Sequence, residues 1–200
     1  MNKIIIVCTI LFTTLAACNN SSNKSKESQN SSNNNQAISQ TDNNNIPAST
    51  TIETKTPALI TAIVNAYLQL KNNFTEDNSI GAANAGKSLE MAFKNFNKST
   101  LTSSQKKTFE DVEDDAREHA EHIGKNGGNI AHQREHFELL SKDIYDLIKT
   151  FGAGQVLYKD FDQMYNKGKG AFWISETKEI KNPYMGKTMS NSGSIIEIIK

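Results

Sequence analysis

The spacing of apolar residues predicts a mainly helical domain. In four segments the apolar side chains recur three or four positions apart, which places them on one helix face. Thr56-Pro57 is a favourable helix start, and Gly152 is placed to end the fourth segment. The predicted helices run from Thr56-Pro57 past Leu70, from about 78 to 96, from Thr102 to about 124, and from about 129 through 150.

Each predicted helix has an apolar face that should point inward. Gly81 and Gly86 interrupt the second helix, where they either permit close helix packing or weaken the helix. The predicted inward residues are Leu59, Ile60, Ile63, Val64, Tyr67, Leu68 and Leu70; Ile80, Leu89, Met91, Phe93 and Phe96; Phe109, Val112, Ala116, Ala120 and Ile123; and Ile130, Phe137, Leu140, Ile144, Leu147, Ile148 and Phe151.

The pattern changes after Phe151. Residues 156–158 and 171–174 are typical of short strands, separated by a glycine-rich turn at 166–170, and the chain ends in an apolar run at 195–199. The predicted fold class is therefore mainly α, a four-helix bundle-like domain over residues 56–200 with a small C-terminal β-hairpin and loop cap.

The first residues have the features of an export signal. A positive start is followed by an apolar stretch from Ile4 to Thr14, which is too short to span a bilayer comfortably. Leu15-Ala16-Ala17-Cys18 then resembles the lipobox of bacterial lipoproteins. Residues 1–17 are predicted to be a signal peptide and Cys18 the lipidated N-terminus, which anchors the protein to a membrane. The alternative is a cleaved secretory signal with a chance cysteine.

The predicted location is the bacterial cell envelope. Asn19 is not the aspartate that commonly marks inner-membrane retention, so an outer-membrane anchor facing the periplasm is favoured. Residues 18–55 are rich in Asn, Ser, Gln and Thr and have few apolar side chains, so we expect a disordered tether. With 22 basic and 22 acidic residues, the chain has no net charge that would attract nucleic acid.

Cysteine content limits the metal chemistry available. Cys8 would leave with the signal peptide and Cys18 would be alkylated, so the mature protein would keep no free thiol. A transition-metal site must then use nitrogen, oxygen or thioether donors. No disulfide is expected either.

The four histidines of the chain lie close together as two pairs. His119 and His122 precede Gly127-Gly128, and His132 and His136 follow it at similar distances. A helical hairpin that reverses at the glycines would bring the pairs to one side of the two helices. Imidazole suits zinc and copper, so we expect a zinc or copper site. The alternative is that His119 is a core-edge residue and the others are solvated.

Acidic residues on the third helix extend this hypothesis. Asp115, Glu118 or Glu121 could complete a coordination sphere or hold a ligating imidazole by its second nitrogen, although for any one of them a solvated role is more common. We do not expect an enzyme, because the chain has neither a nucleophile-elbow serine nor a His-Glu-x-x-His motif.

Several motifs together resemble one family. They are His132-Gln133-Arg134-Glu135-His136-Phe137, Leu140-Ser141, Tyr145, Lys169-Gly170-Ala171, Trp173, Ile180-Lys181-Asn182-Pro183-Tyr184, Gly186 and Met189. The chain is similar to the domain of unknown function 3347. This resemblance implies a periplasmic domain, often a lipoprotein or fused to heavy-metal efflux adaptors, with a role in copper or related metal handling.

The chain departs from the family pattern at two places. Asp162-Gln163 stands where Cys-Pro is expected, with Met164 retained, and Ser192-Gly193 stands where Cys-Gly is expected. Without thiolates, cuprous copper is disfavoured, and Asp162 and Met164 become additional candidate ligands. The predicted function is zinc or copper binding, in sequestration or in delivery to a heavy-metal efflux adaptor. The alternative is a structural or protein-interaction lipoprotein without metal.

Overall fold

A computed structural model describes residues 59–200. The predicted signal peptide at 1–17, the lipidated Cys18, the tether at 18–55 and the helix start at Thr56-Pro57 lie outside the described residues. The four long helices are α1 (Thr61–Thr75), α2 (Ser79–Lys94), α3 (Ser103–Lys125) and α4 (Ile130–Phe151), and the three strands are β1 (Leu157–Asp162), β2 (Ala171–Ser175) and β3 (Ser194–Ile199). Single helical turns occupy Lys98–Thr100 and Gly186–Thr188, and Tyr165–Gly168 is a turn in which Asn166 and Lys167 have positive φ.

The helix ends follow from capping residues. Thr102 forms a capping box with Gln105 at the start of α3, where each side chain bonds the other's backbone N–H. The Asn129 side chain accepts from the backbone N–H of His132 at the start of α4, and Gly152, with φ +73°, ends that helix. The predicted bounds of α3 and α4 are therefore confirmed.

The first predicted helix does not continue through Leu59 and Ile60. Leu59 and Ile60 form a turn, and α1 begins at Thr61. The turn directs Ile60 into the core and leaves Leu59 47% exposed. Leu59 is therefore not the core residue that its apolar character predicts, whereas Ile60 is.

The buried face of α2 also differs from the prediction. Ile80 is 62% exposed and Met91 is 52% exposed, although both were expected in the core. The helix instead buries a face of small residues with two larger ones, and at 100° per residue Ile80 and Met91 lie opposite that face. The buried residues of α2 are Ala82, Ala83, Ala85, Gly86, Leu89 and Phe93.

Gly86 explains why the small face of α2 is buried. A Cβ atom at this position would lie 2.9 Å from the backbone oxygen of Ala120 and 3.0 Å from the backbone nitrogen of Gly124. The backbones of α2 and α3 therefore approach too closely for any side chain at Gly86. Of the two roles considered for this glycine, close packing is confirmed.

The C-terminal cap is a three-stranded antiparallel sheet in the order β2-β1-β3. The predicted hairpin corresponds to β1 and β2, and the apolar end of the chain forms β3 on the other edge. The Tyr67 hydroxyl ties the sheet to the helices, because it lies 2.8 Å from the Ser141 hydroxyl on α4 and accepts from the Ile174 N–H on β2. The prediction of a mainly helical domain with a small β cap is confirmed.

No helix within residues 59–200 combines the length and apolar character needed to cross a bilayer.

Candidate metal centre

The hairpin of α3 and α4 is held together by a buried amide. Gln133 is fully buried, and its Nε2 donates to the Ile123 carbonyl at 3.0 Å and to the Ser79 carbonyl at 3.1 Å. Ser79 Oγ donates to Gln133 Oε1 at 2.7 Å and accepts from the Gly128 N–H. Because Gln133 lies between the two histidines of α4, these bonds fix the first turns of α4 against the end of α3.

The hairpin brings all four histidines to one side of the helix pair. The rings of His122 and His136 are stacked with centroids 4.5 Å apart, and those of His132 and His136 meet edge-on at 4.7 Å. His119 and His136 place their Nδ1 atoms 3.2 Å apart. The structure therefore has the predicted arrangement, in which the helical hairpin brings the imidazoles together.

Three of the rings converge more closely than the fourth. His122, His132 and His136 each offer one donor atom, and these three atoms lie within 4.8 Å of one another. In a tetrahedral site with zinc–nitrogen bonds of about 2.0–2.1 Å, two donors are separated by about 3.3–3.4 Å. The limit of 4.8 Å is wider than this separation, so the rings must move closer together to hold one ion. The three imidazoles nevertheless suit a nitrogen-coordinated metal.

The pKa values of two of the four histidines are lowered, which favours ion binding at neutral pH. Burial, followed by the neighbouring imidazoles of His122, His119 and His132, lowers the pKa of His136 to about 4. Burial also lowers the pKa of His119, against the opposing effect of Asp115. Both shifts favour the neutral imidazole, so an ion that binds His136 at pH 7 does not have to displace a proton from that ring.

Carboxylates lie beside two of the converging rings. Glu118 Oε1 lies 3.7 Å from His122 Nε2, and Glu135 Oε2 lies 3.2 Å from His132 Nδ1. Glu118 was among the acids predicted to orient an imidazole. Glu135 was missed, although its position three residues after His132 on one helix is a visible sequence signal.

The other acidic candidates have different surroundings. Glu121 pairs with Lys125, whereas Asp115 lies near His119 and Asp143. Asp143 was not predicted as part of this region, although it follows His136 by seven residues and so shares its helix face. Burial, and then the charges of Asp115 and Asp146, raise the pKa of Asp143 to about 7.

Asp162 and Met164 are placed by the C-terminal sheet, at the end of β1 and just beyond it. Both carboxylate oxygens of Asp162 are occupied, since Oδ1 accepts from the Met164 N–H and Oδ2 from Asn182 Nδ2, each at 2.7 Å. Met164 is 61% exposed. Within residues 59–200, Asp162 does not join the group of three converging histidines.

The two positions where cysteines were expected are close to each other. Asn182 Nδ2 lies 2.7 Å from Asp162 Oδ2 and 2.8 Å from Ser192 Oγ, so one amide bridges both side chains. Hydrogen bonds among Asp162, Asn182 and Ser192 thus connect β1 to the segment before β3.

Comparison with known families identifies the helical part of the chain. Residues 63–156 match the family described as Protein of unknown function (DUF3347). This segment is a DUF3347 domain. The DUF3347 match contains all four histidines and ends before β1, so Asp162 and Met164 lie beyond it. No curated protein and no solved structure matches the chain.

Several residues that suggested the DUF3347 resemblance have architectural roles. Arg134 donates to the carbonyls of Pro183 and Phe74 and to the carboxylate of Asp77, and thereby ties α4 to the end of α1 and to the C-terminal segment. Tyr145 donates to Glu197 on β3. The motif around His132 and His136 therefore combines contacts that build the fold with side chains suited to binding an ion.

Proposed function

We propose that this protein binds a divalent transition-metal ion, zinc or cupric copper, for sequestration or for delivery to an efflux partner. The observation that carries the proposal is the convergence of His122, His132 and His136, whose donor atoms lie within 4.8 Å of one another. His119 adjoins the group through His136. Imidazole nitrogen is a preferred donor for both ions.

The donor set disfavours cuprous copper as the cargo. Soft thiolate and thioether donors select copper(I), whereas the converging group consists of imidazoles. Cys8 and Cys18 are the two cysteines of the chain, and neither is among the described residues. The cluster itself is therefore suited to borderline divalent ions.

The proposal places the protein in the cell envelope as a lipid-anchored, non-enzymatic protein. Leu15-Ala16-Ala17-Cys18 supports lipidation of Cys18, and Asn19 supports an outer-membrane anchor facing the periplasm. The resemblance of the motifs to periplasmic metal-handling domains supports a heavy-metal efflux adaptor as the partner. Nucleic acid is not a proposed partner, since acidic and basic residues balance.

The competing function is a structural or protein-interaction lipoprotein that carries no ion. One observation favours it: Ile195, Ile196 and Ile198 on the edge strand β3 are 38%, 54% and 52% exposed. Exposed apolar side chains on a sheet edge are common at protein contacts. Metal titration separates the two functions.

Calorimetric titration of the full-length protein in mild detergent with zinc and with cupric ions tests the proposal. The parent should bind one ion, and the double variant His122→Ala/His132→Ala should lose that binding. Cys8 and Cys18 are unchanged in the double variant, so any binding through thiols of an unprocessed chain would persist in it. Glu110→Gln is a matched control, because Glu110 is exposed on α3. Equal or absent binding by parent and double variant would favour the interaction function.

A further inference from the structure

Each of the three converging imidazoles has a polar side chain near one of its two ring nitrogens. Glu118 approaches Nε2 of His122 at 3.7 Å, and Glu135 approaches Nδ1 of His132 at 3.2 Å. His119 occupies the corresponding position for His136, since its Nδ1 lies 3.2 Å from Nδ1 of that ring. The second nitrogen of each ring has no hydrogen-bond or ion-pair partner among residues 59–200.

His119 therefore lies beside His136 as Glu118 lies beside His122 and Glu135 beside His132. A metal-binding histidine characteristically engages its second ring nitrogen with an outer hydrogen-bond partner, which fixes the ring orientation. Among the histidines of the described residues, His119 makes a ring contact with His136 alone. A fourth ligand of a tetrahedral ion would instead approach all three of the other donors.

We infer that His119 is a positioning residue for His136, and that three imidazoles hold the ion with one coordination position open to an external donor. The inference rests on the proposed function. Closed sites with four protein ligands are typical of structural zinc, whereas sites with three protein ligands accept an exogenous ligand. An open position makes the centre suited to passing its ion on by ligand exchange.

The surroundings of the rings give an external donor access. The side chains of His122 and His132 are 44% and 37% exposed. A surface cavity of about 320 Å³ adjoins His122, and its lining residues are Asp114, Arg117, Glu118, Glu121 and His122. Three carboxylates against one guanidinium favour the approach of a cation. The exposed parts of His122 and His132 admit a side chain from outside.

The proposed external donor is a side chain of an ion-accepting partner. A neutral imidazole presented by that partner would occupy the open position before the ion leaves His122, His132 and His136. The ion would then not pass through bulk solvent, where other ligands compete for it. This mode of transfer corresponds to delivery rather than to storage.

Cobalt spectroscopy with azide as the external donor tests the inference. The full-length protein is loaded with Co²⁺, whose visible absorption depends on its coordination, and titrated with azide. The parent should show a saturable spectral change. His119→Ala should bind Co²⁺ roughly 10–100-fold more weakly, as expected when an outer partner is lost, and should still respond to azide.

His119→Gln separates positioning from ligation. Its amide can still hydrogen-bond the Nδ1 of His136, so most of the Co²⁺ affinity should return in this variant; an amide would not replace a lost imidazole ligand. Glu110→Gln is again the control and should match the parent.

Three results would overturn the inference. A parent that does not respond to azide, paired with a His119→Ala variant that does, would make His119 the fourth ligand. Absence of an azide response in both would show that no position is open. Failure of the parent to bind Co²⁺, zinc and cupric ions would overturn the proposed function itself, so the two failures are distinguishable.

Discussion

At the scale of single residues, Glu135 is the clearest example of a side chain acting through another. Its carboxylate holds Nδ1 of His132 at 3.2 Å and leaves the other ring nitrogen for an ion. We predict that Glu135→Gln weakens zinc binding roughly tenfold, because the ligand loses basicity and fixed orientation. Competition with a fluorescent zinc chelator measures the effect, and Glu110→Gln should leave the affinity unchanged. An unaltered affinity for Glu135→Gln would show that the carboxylate does not support the site.

Asp160 gives a second prediction at this scale. It is fully buried on the central strand, and neither carboxylate oxygen has a hydrogen-bond partner among the described residues. Burial raises its pKa to about 7, against an opposing effect of Lys71. Between its ordinary pKa of 3.8 and about 7, folded Asp160 keeps a proton that the unfolded chain releases. The free energy of unfolding therefore falls as pH rises across this range.

Asp160→Asn should remove this pH dependence. At pH 8 the variant should be more stable than the parent by about 1–3 kcal/mol, because it buries a neutral group instead of a charge. Near pH 4 the two proteins should be similar, since Asp160 is then neutral as well. Urea unfolding at both pH values measures the difference. A gain in stability that is the same at both would contradict this account of Asp160.

The sequence predicted the converging residues better than their surroundings. His122, His132 and His136 were identifiable because their spacing on two helices places them on one side of the hairpin. The structural role of Asp162 was not identifiable, since one of its hydrogen bonds depends on where Asn182 lies, twenty residues further along the chain. Contacts between distant segments leave no periodic pattern that could reveal them.

At the scale of elements, the close contact of α2 with α3 at Gly86 yields a stability prediction. We predict that Gly86→Ala destabilises the protein by about 1–3 kcal/mol, because the added methyl group would meet the backbone of Ala120 and Gly124. Ser88→Ala is the matched control on the same helix, where Ser88 is exposed. Thermal unfolding compares the two. If Gly86→Ala proved as stable as the control, the close approach of the two backbones would be contradicted.

Helix and strand boundaries were predictable where a local residue sets them. Thr102, Asn129 and Gly152 mark the ends of α3 and α4, and the structure has all three at those ends. The buried face of α2 was not predictable from its large apolar residues, because alanines and Gly86 make the contact with the rest of the bundle. The edge position of β3 likewise depends on pairing with β1, which is about thirty-five residues earlier in the chain.

At the scale of the whole molecule, the proposed anchor carries a prediction about location. We predict that Cys18→Ser abolishes incorporation of labelled fatty acid and releases the protein from the membrane fraction, because serine offers no thiol for lipidation. Cys8→Ser is the matched control and should remain lipidated. Membrane fractionation after labelling measures both. A Cys18→Ser variant that still carries fatty acid would contradict the lipoprotein proposal.

For the whole molecule, we propose that a helical hairpin gathers three imidazoles around one ion. A crystal grown with zinc, with anomalous diffraction recorded at the zinc absorption edge, shows directly where the ion lies. We expect one peak about 2.0–2.1 Å from a ring nitrogen of each of His122, His132 and His136. A peak bound only by other residues, or no peak in crystals grown with excess zinc, would contradict it.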